Sequence, residues 1–263
     1  MQVINYSKNL LVKKHRGTMP IILTCPHGGS ESPPSVQERE EAKTPSGCNF
    51  TTSRDVQTDT ITESVAQKIL QLTGLSPYIV IAEFHRKFID ANRRLECAFT
   101  DSSAKAFYEE YHNSISEYVN EILQENDDRG FLFDIHGIRE ISEDPADIYL
   151  GTVNGKTLQP SFYRADIFKR HGLHGLLQAS RHLVGSEEAD TVFQYRVSPA
   201  DKEAEETDKV RGGFTVRNYA GLMINCIQIE IADTLRKDEE KRRFIIEDLA
   251  FAMINFVRRH SSF

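Results

Sequence analysis

Three stretches of this chain carry an apolar run into a residue able to bind a metal or move a proton. Ile21-Ile-Leu-Thr-Cys-Pro-His27 leads into Gly28-Gly29, and Phe131-Leu-Phe-Asp-Ile-His136 leads into Gly137. Ile224-Asn-Cys-Ile-Gln-Ile-Glu230 continues into Ile231. Continuous apolar runs of this kind predict central strands covered on both faces. An imidazole or carboxylate at such a position is costly unless it is paired or bound to a metal. Three strand ends of this design are therefore read as one site.

A catalytic zinc takes three protein ligands from His, Asp or Glu and keeps a fourth position open for water. His27 and His136 are the pair expected to supply two of them, because the glycine after each lets the chain turn away. Asp59, at the start of the first predicted helix, is the preferred third ligand, with Glu31 and Asp55 as rivals. Glu230 is the candidate general base, since desolvation raises a carboxylate pKa towards the range useful for proton transfer. Asp134 precedes His136 by two residues, so strand alternation puts both on one face and suits it to orienting a ligand histidine. Arg86, Asn92 and Arg93 offer forked donors for a carboxylate or a developing oxyanion. Each of these residues also has an ordinary role: a core imidazole bonded to a carbonyl, a helix N-cap, an ion pair, or a charged surface turn. No G-x-S-x-G occurs, and Gly28-Gly29 has the surroundings of neither a P-loop nor a dinucleotide fingerprint.

The elements that must position these residues read as alternating strands and helices. Strands are expected at 20–26, 78–82, 131–136, 147–151 and up to Glu230. Helices are expected at 58–73, 103–125, 161–170, 172–184 and 239–259, the last burying Phe244, Ile245, Leu249, Met253 and Phe256. The segment Asn126-Asp-Asp-Arg-Gly130 should end the second long helix. Segment 28–57 is a long loop, and loops of that length are uncommon unless functional. Segment 198–211 is the most charged stretch and reads as a solvated, mobile loop. Such alternation predicts a three-layer αβα fold in one domain spanning 1–263.

Composition limits the alternatives. With 263 residues and 39 % apolar content, the chain can build a sizeable core. A net charge of −7 with scattered cations argues against nucleic-acid binding. No apolar run suits a membrane span, and no basic-then-apolar leader opens the sequence. The four cysteines lack CxxC spacing and two lie in predicted core strands. Reduced thiols and a cytoplasmic location are expected.

Taken in order, Pro26-His27-Gly28-Gly29, Pro34 with Arg39, Asp59-x-x-Thr62 with Ala66, His85-Arg86-Lys87 with Asp90-x-Asn92-Arg93, Asp134-x-His136-Gly137, Gly212-Gly213 and Gln228-x-Glu230 resemble the N-formylglutamate amidohydrolase family. The match spans about residues 20–235. The resemblance implies a zinc-dependent amidohydrolase with a phosphorylase/hydrolase-like, zinc-carboxypeptidase-like fold and a mixed central sheet. It implies His27, Asp59 and His136 as metal ligands, Glu230 as base and Arg86 in catalysis. Arg39, Asn92, Arg93 and Gly213 fall to binding a small N-acyl amino acid. Two departures stand out: Ser30 occupies the position where carboxypeptidases carry an acidic ligand, and Asp90-Ala-Asn-Arg93 replaces the common Asp-Leu-Asn-Arg. A metallopeptidase, an N-acetylmuramoyl-L-alanine amidase-like hydrolase, and a non-catalytic metal-binding or interaction protein are the competing readings. A His/Asp/His set also accepts manganese, cobalt or iron.

Overall fold

The computed structural model describes residues 2–126, 130–139, 141–160, 162, 164–184, 191–222 and 224–260. The strands are β1 (Ser7–Asn9), β2 (Val12–His15), β3 (Ile21–Cys25), β4 (Tyr78–Ala82), β5 (Phe131–Ile138), β6 (Ile148–Gly151), β7 (Arg181–Val184), β8 (Thr191–Gln194), β9 (Val197–Ser198) and β10 (Asn225–Ala232). The helices are α1 (Thr58–Thr73), α2 (Leu95–Ala98), α3 (Lys105–Glu125), α4 (Ala165–Phe168), α5 (Leu173–Ala179), α6 (Phe214–Ala220), α7 (Asp233–Lys237) and α8 (Glu239–Val257).

Eight strands form one sheet in the order β1-β2-β4-β3-β5-β10-β6-β9. The four central strands, β4, β3, β5 and β10, are mutually parallel, and antiparallel β2 and β6 flank them. The sheet is thus mixed, as expected. Alternation along each central strand feeds two cores. Leu23, Phe133 and Ile229 pack on one face with Ile69 of α1 and Leu249 of α8. Ile22, Leu132 and Cys226 pack on the other with Tyr111 and Ile115 of α3 and Val216 of α6. That makes three layers. From β3 the chain goes to β4 on one side and later returns to β5 on the other. Ligands bind at such a switch point, beyond the carboxyl ends of the strands.

Several elements depart from the sequence expectation. β1 and β2 lie in a polar segment where no strand is expected, because pairing of β1 with β2 and of β2 with β4, rather than an apolar run, defines them. The helix expected at 172–184 stops at Ala179. Arg181–Val184 instead pairs with β8 in a separate hairpin. Within the helix expected at 161–170, Ser161 and Tyr163 lie outside the described residues, as do Asp127-Asp-Arg129 of the turn after α3. Phe244 is only half-buried and stacks on His182 with ring centres 4.0 Å apart. Cys25 and Cys226 are buried free thiols, but Cys48 and Cys97 form a disulfide, which corrects the expectation of reduced cysteines throughout. Among the described residues no helix is long and apolar enough to cross a membrane.

Candidate active site

Register explains why the polar residues converge. In the parallel pair β5–β10, Asp134 lies opposite Gln228 and His136 opposite Glu230. All four point to the α3/α6 side of the sheet. His27 follows β3, the neighbour of β5 on its other side. Gly28 is required where it stands, because a Cβ would lie 2.5 Å from the backbone nitrogen of Asp59 at the start of α1. Gly137 is similarly constrained: a Cβ would lie 2.5 Å from the Arg236 guanidinium carbon. Arg236 donates to the carbonyls of Ile231 and Val56, joining the end of β10 to the loop just before α1.

The carboxylate that meets the two histidines is that of Asp55. Its Oδ2 lies 3.5 Å from His27 Nδ1 and 3.3 Å from His136 Nδ1. Asp55 is fixed by its backbone, whose N–H donates to the His27 carbonyl at 2.9 Å, while Thr58 Oγ1 donates to its own carbonyl at 2.7 Å. Asp59, the preferred third ligand, lies outside this group. One helical turn further on, its side chain lines a separate small cavity of about 70 Å³ with Glu31, Glu63 and Glu83. The rival Glu31 is drawn there by pairing with the segment after β4.

Both histidines turn their other nitrogen to a buried carboxylate. His27 Nε2 is 2.7 Å from Asp90 Oδ1, and His136 Nε2 is 2.8 Å from Asp134 Oδ2. Thr24 Oγ1 holds Asp134 by donating to its other oxygen at 2.6 Å. A carboxylate only accepts, so each Nε2 carries a proton, and with a cation bound each Nδ1 would present its lone pair towards Asp55. His27, Asp55 and His136 thus each offer one atom able to bind a metal, and these atoms lie within 4.8 Å of one another. His27 Nδ1 is buried with no hydrogen-bond partner in the structure.

The electrostatics favour a cation at this point. Burial works to raise the Asp55 pKa, but the neighbouring His136 and His27 hold it well below the usual carboxylate range. Burial likewise opposes charge on His136, yet Asp134 and then Asp55 override it and raise its pKa well above the ordinary value. A tetrahedral ion with bonds near 2.05 Å separates its ligands by roughly 3.3 Å, close to the two oxygen–nitrogen distances here. The donor set is one that could hold a metal ion.

Asp90 had no assigned role in the sequence, yet it links the metal-type residues to the substrate-type ones. Arg86 Nε donates to its Oδ2 at 2.9 Å, with Arg39 Nη1 and Arg93 Nε at 3.7 and 3.8 Å. Burial would raise its pKa, but the charges of His27, Arg86 and Arg93 hold it well below the usual range. Its place between Arg86 and Arg93 in the chain was the available sequence signal. Arg86, Asn92, Arg93, Gly213 and Glu230 line a polar cavity of about 380 Å³ together with His27, Asp55 and His136. Arg39 does not. It is buried behind the cavity, donating to the carbonyls of Thr51 and Arg86 and stacking on Phe50.

Glu230 lines the same cavity as Arg86 and Arg93. Burial pushes its pKa up from 4.5 to about 7, opposed by the charge of His136 and aided by that of Asp55. The charged loop contributes Asp208 and Lys209 to the cavity rim. This loop is anchored, contrary to expectation. Buried Glu206 accepts from the backbone N–H groups of Thr152 and Asn154, both at 2.9 Å, and from the Thr152 hydroxyl.

The chain is thus an α/β protein, a mixed sheet between two helical layers with a buried His/Asp/His group beyond the carboxyl ends of its central strands. N-formylglutamate amidohydrolase from Ralstonia eutropha JMP134 superimposes with a TM-score of 0.61 and 18 % identity, over 91 % of this chain and 94 % of that one. A gene product of Agrobacterium tumefaciens superimposes with a TM-score of 0.59 and 14 % identity, over 95 % and 96 % of the two chains. At these identities the likeness is one of fold. No family model and no curated protein matches the sequence.

Proposed function

We propose that the chain is a metal-dependent amidohydrolase that cleaves the amide of a small N-acyl amino acid, with N-formylglutamate the first candidate. The observation that carries this reading is the convergence of three buried residues able to bind a metal beside a desolvated carboxylate, Glu230, and two arginines in one cavity. The Ralstonia amidohydrolase, similar in fold over nearly the whole chain, supports it.

A zinc or similar ion held by His27, Asp55 and His136 would polarise the amide carbonyl and acidify the attacking water. Glu230 takes the proton of that water and passes it to the leaving amine. Its pKa, raised by burial, suits both transfers. Arg86, held by Asp90, and Arg93 present guanidinium groups to a substrate carboxylate or the developing oxyanion. A cavity of about 380 Å³ suits a small acyl amino acid better than a cell-wall polymer. The Cys48–Cys97 disulfide favours a compartment where disulfides persist over the cytoplasm.

The test combines elemental analysis with a substrate panel of N-formyl, N-acetyl and N-succinyl amino acids and dipeptides. About one metal ion per chain is expected, with turnover of an N-acyl amino acid that disappears in Glu230→Gln while the metal stays bound. Bound metal without hydrolysis of any panel member refutes the enzymatic reading. Preference for dipeptides moves it to a peptidase.

A further inference from the structure

Gln228 precedes Glu230 by two residues on β10, so the pleat puts both side chains on the face that carries Asp134 and His136. It is 3 % exposed, and both ends of its amide are engaged. The backbone N–H of Gly213 donates to its Oε1 at 2.6 Å. A backbone nitrogen can only donate, so this end is the carbonyl oxygen and the other is the NH2 group. That group donates to Glu230 Oε1 at 2.9 Å. Among the described residues no hydrogen bond engages Glu230 Oε2, and Glu230 lines the cavity.

The Gly213 end of this link is itself fixed. Gly213 directly precedes α6, and the Thr215 N–H and hydroxyl donate to Asn92 Oδ1 at 2.8 and 3.1 Å. The turn packs so closely on Asn92 that a Cβ at Gly213 would lie 2.2 Å from its amide nitrogen. That nitrogen lies 3.2 Å from His136 Nε2. Gln228 therefore spans from a rigid backbone donor to one oxygen of the Glu230 carboxylate.

We propose that Gln228 is the positioning residue for Glu230, committing Oε1 to its amide so that Oε2 faces the cavity and takes the proton. This rests on the reading of Glu230 as the base. The link acts on the proton transfer and not on substrate capture, so its loss lowers kcat and leaves KM in place. It also acts only through Glu230, so it has nothing to do once that carboxylate is gone.

The experiment compares wild type, Gln228→Met, Glu230→Gln and the double variant on N-formylglutamate and the N-acyl panel, with metal content measured for each. Methionine keeps length and apolar bulk and removes both hydrogen bonds. Expected is a roughly 10- to 100-fold loss of kcat in Gln228→Met, part of the gain that general base catalysis supplies. KM should stay within about twofold, with metal retained. In the Glu230→Gln background the same substitution should change the residual rate by less than about twofold. Equal losses in the two backgrounds, or an unaltered kcat, overturn the proposal. Should Gln228→Met not fold, Gln228→Asn carries the same test, its amide being too short to bridge both partners. A crystal structure of the variant gives a readout without turnover: the Glu230 carboxylate should leave its present rotamer, and an unmoved carboxylate refutes the assignment. A wild type that binds metal but hydrolyses nothing removes the amidohydrolase reading, while the rotamer still decides the role of Gln228.

Discussion

Replacing Glu230 with glutamine should make the metal-free protein more stable, and only above the acid range. In the folded chain burial raises this carboxyl pKa from 4.5 to about 7. The folded state therefore keeps a proton that the unfolded state releases between those values. The sign follows: unfolding free energy falls as pH rises through that window, with the cost absent below it and complete above it. At about 1.4 kcal/mol per tenfold change, the rise corresponds to about 3 kcal/mol at pH 8 and under about 1 kcal/mol at pH 5. Glutamine keeps the shape and the acceptor for Gln228 but carries no charge. An unfolding entropy of about 2.1 cal/mol/K per residue then gives a Tm about 5 °C above wild type at pH 8. The assay is calorimetry of chelator-treated wild type and Glu230→Gln at both pH values, beside an activity measurement on the metal-loaded proteins. Equal Tm values at pH 8, or an offset that ignores pH, would refute the argument that Glu230 is a desolvated base.

The remaining predictions concern the metal ligands and the frame around them. Asp55→Asn and His136→Ala should each lose bound metal by elemental analysis, whereas Asp59→Asn should keep it; the opposite pattern would restore Asp59 as ligand. Asp90→Asn should weaken metal affinity by about 10- to 100-fold, measured by competition with a chromophoric chelator. It should also raise KM, because Arg86 loses its partner. Cys48→Ser opens a loop of 49 residues, for which chain entropy gives up to about 4 kcal/mol of lost stability. Wild type treated with a thiol reductant should fall to the same Tm, and no drop in either would show the bond contributes little. In metal-loaded enzyme kcat/KM should rise with pH on an acid limb at or below about 7, because a nearby cation lowers the Glu230 pKa.

The parts legible in the sequence were those fixed by burial on both faces. β3, β5 and β10 announce themselves as apolar runs, and the polar residue ending each of them reaches the same cavity. The third carboxylate was not legible, since the packing of α1 against Gly28 decides whether Asp55 or Asp59 reaches the histidines. Segment 28–57 has no periodicity to reveal that. Asp90 and Gln228 were visible as motif residues, but their roles depend on partners far away in sequence, His27 and Gly213. The Cys48–Cys97 bond joins two irregular segments, and spacing alone gave no sign of it. α6 was missed because Phe214–Ala220 is too short for a helical repeat to stand out, yet its first turn holds Asn92.

The order of the central strands also bears on how the protein matures. His27, Asp55, His136 and Glu230 are brought together only when β3 pairs with β5 and β5 with β10. Those parallel pairings close long stretches of chain, the slow kind of step in folding. On the proposed reading, an ion would find His27, Asp55 and His136 together only once β3 has paired with β5. Metal capture is then a late event that adds stability without setting the folding rate, about 4 kcal/mol when free ion is a thousandfold above its dissociation constant. Its chief effect would be on unfolding, which slows once an ion ties the carboxyl ends of the adjacent strands β3 and β5.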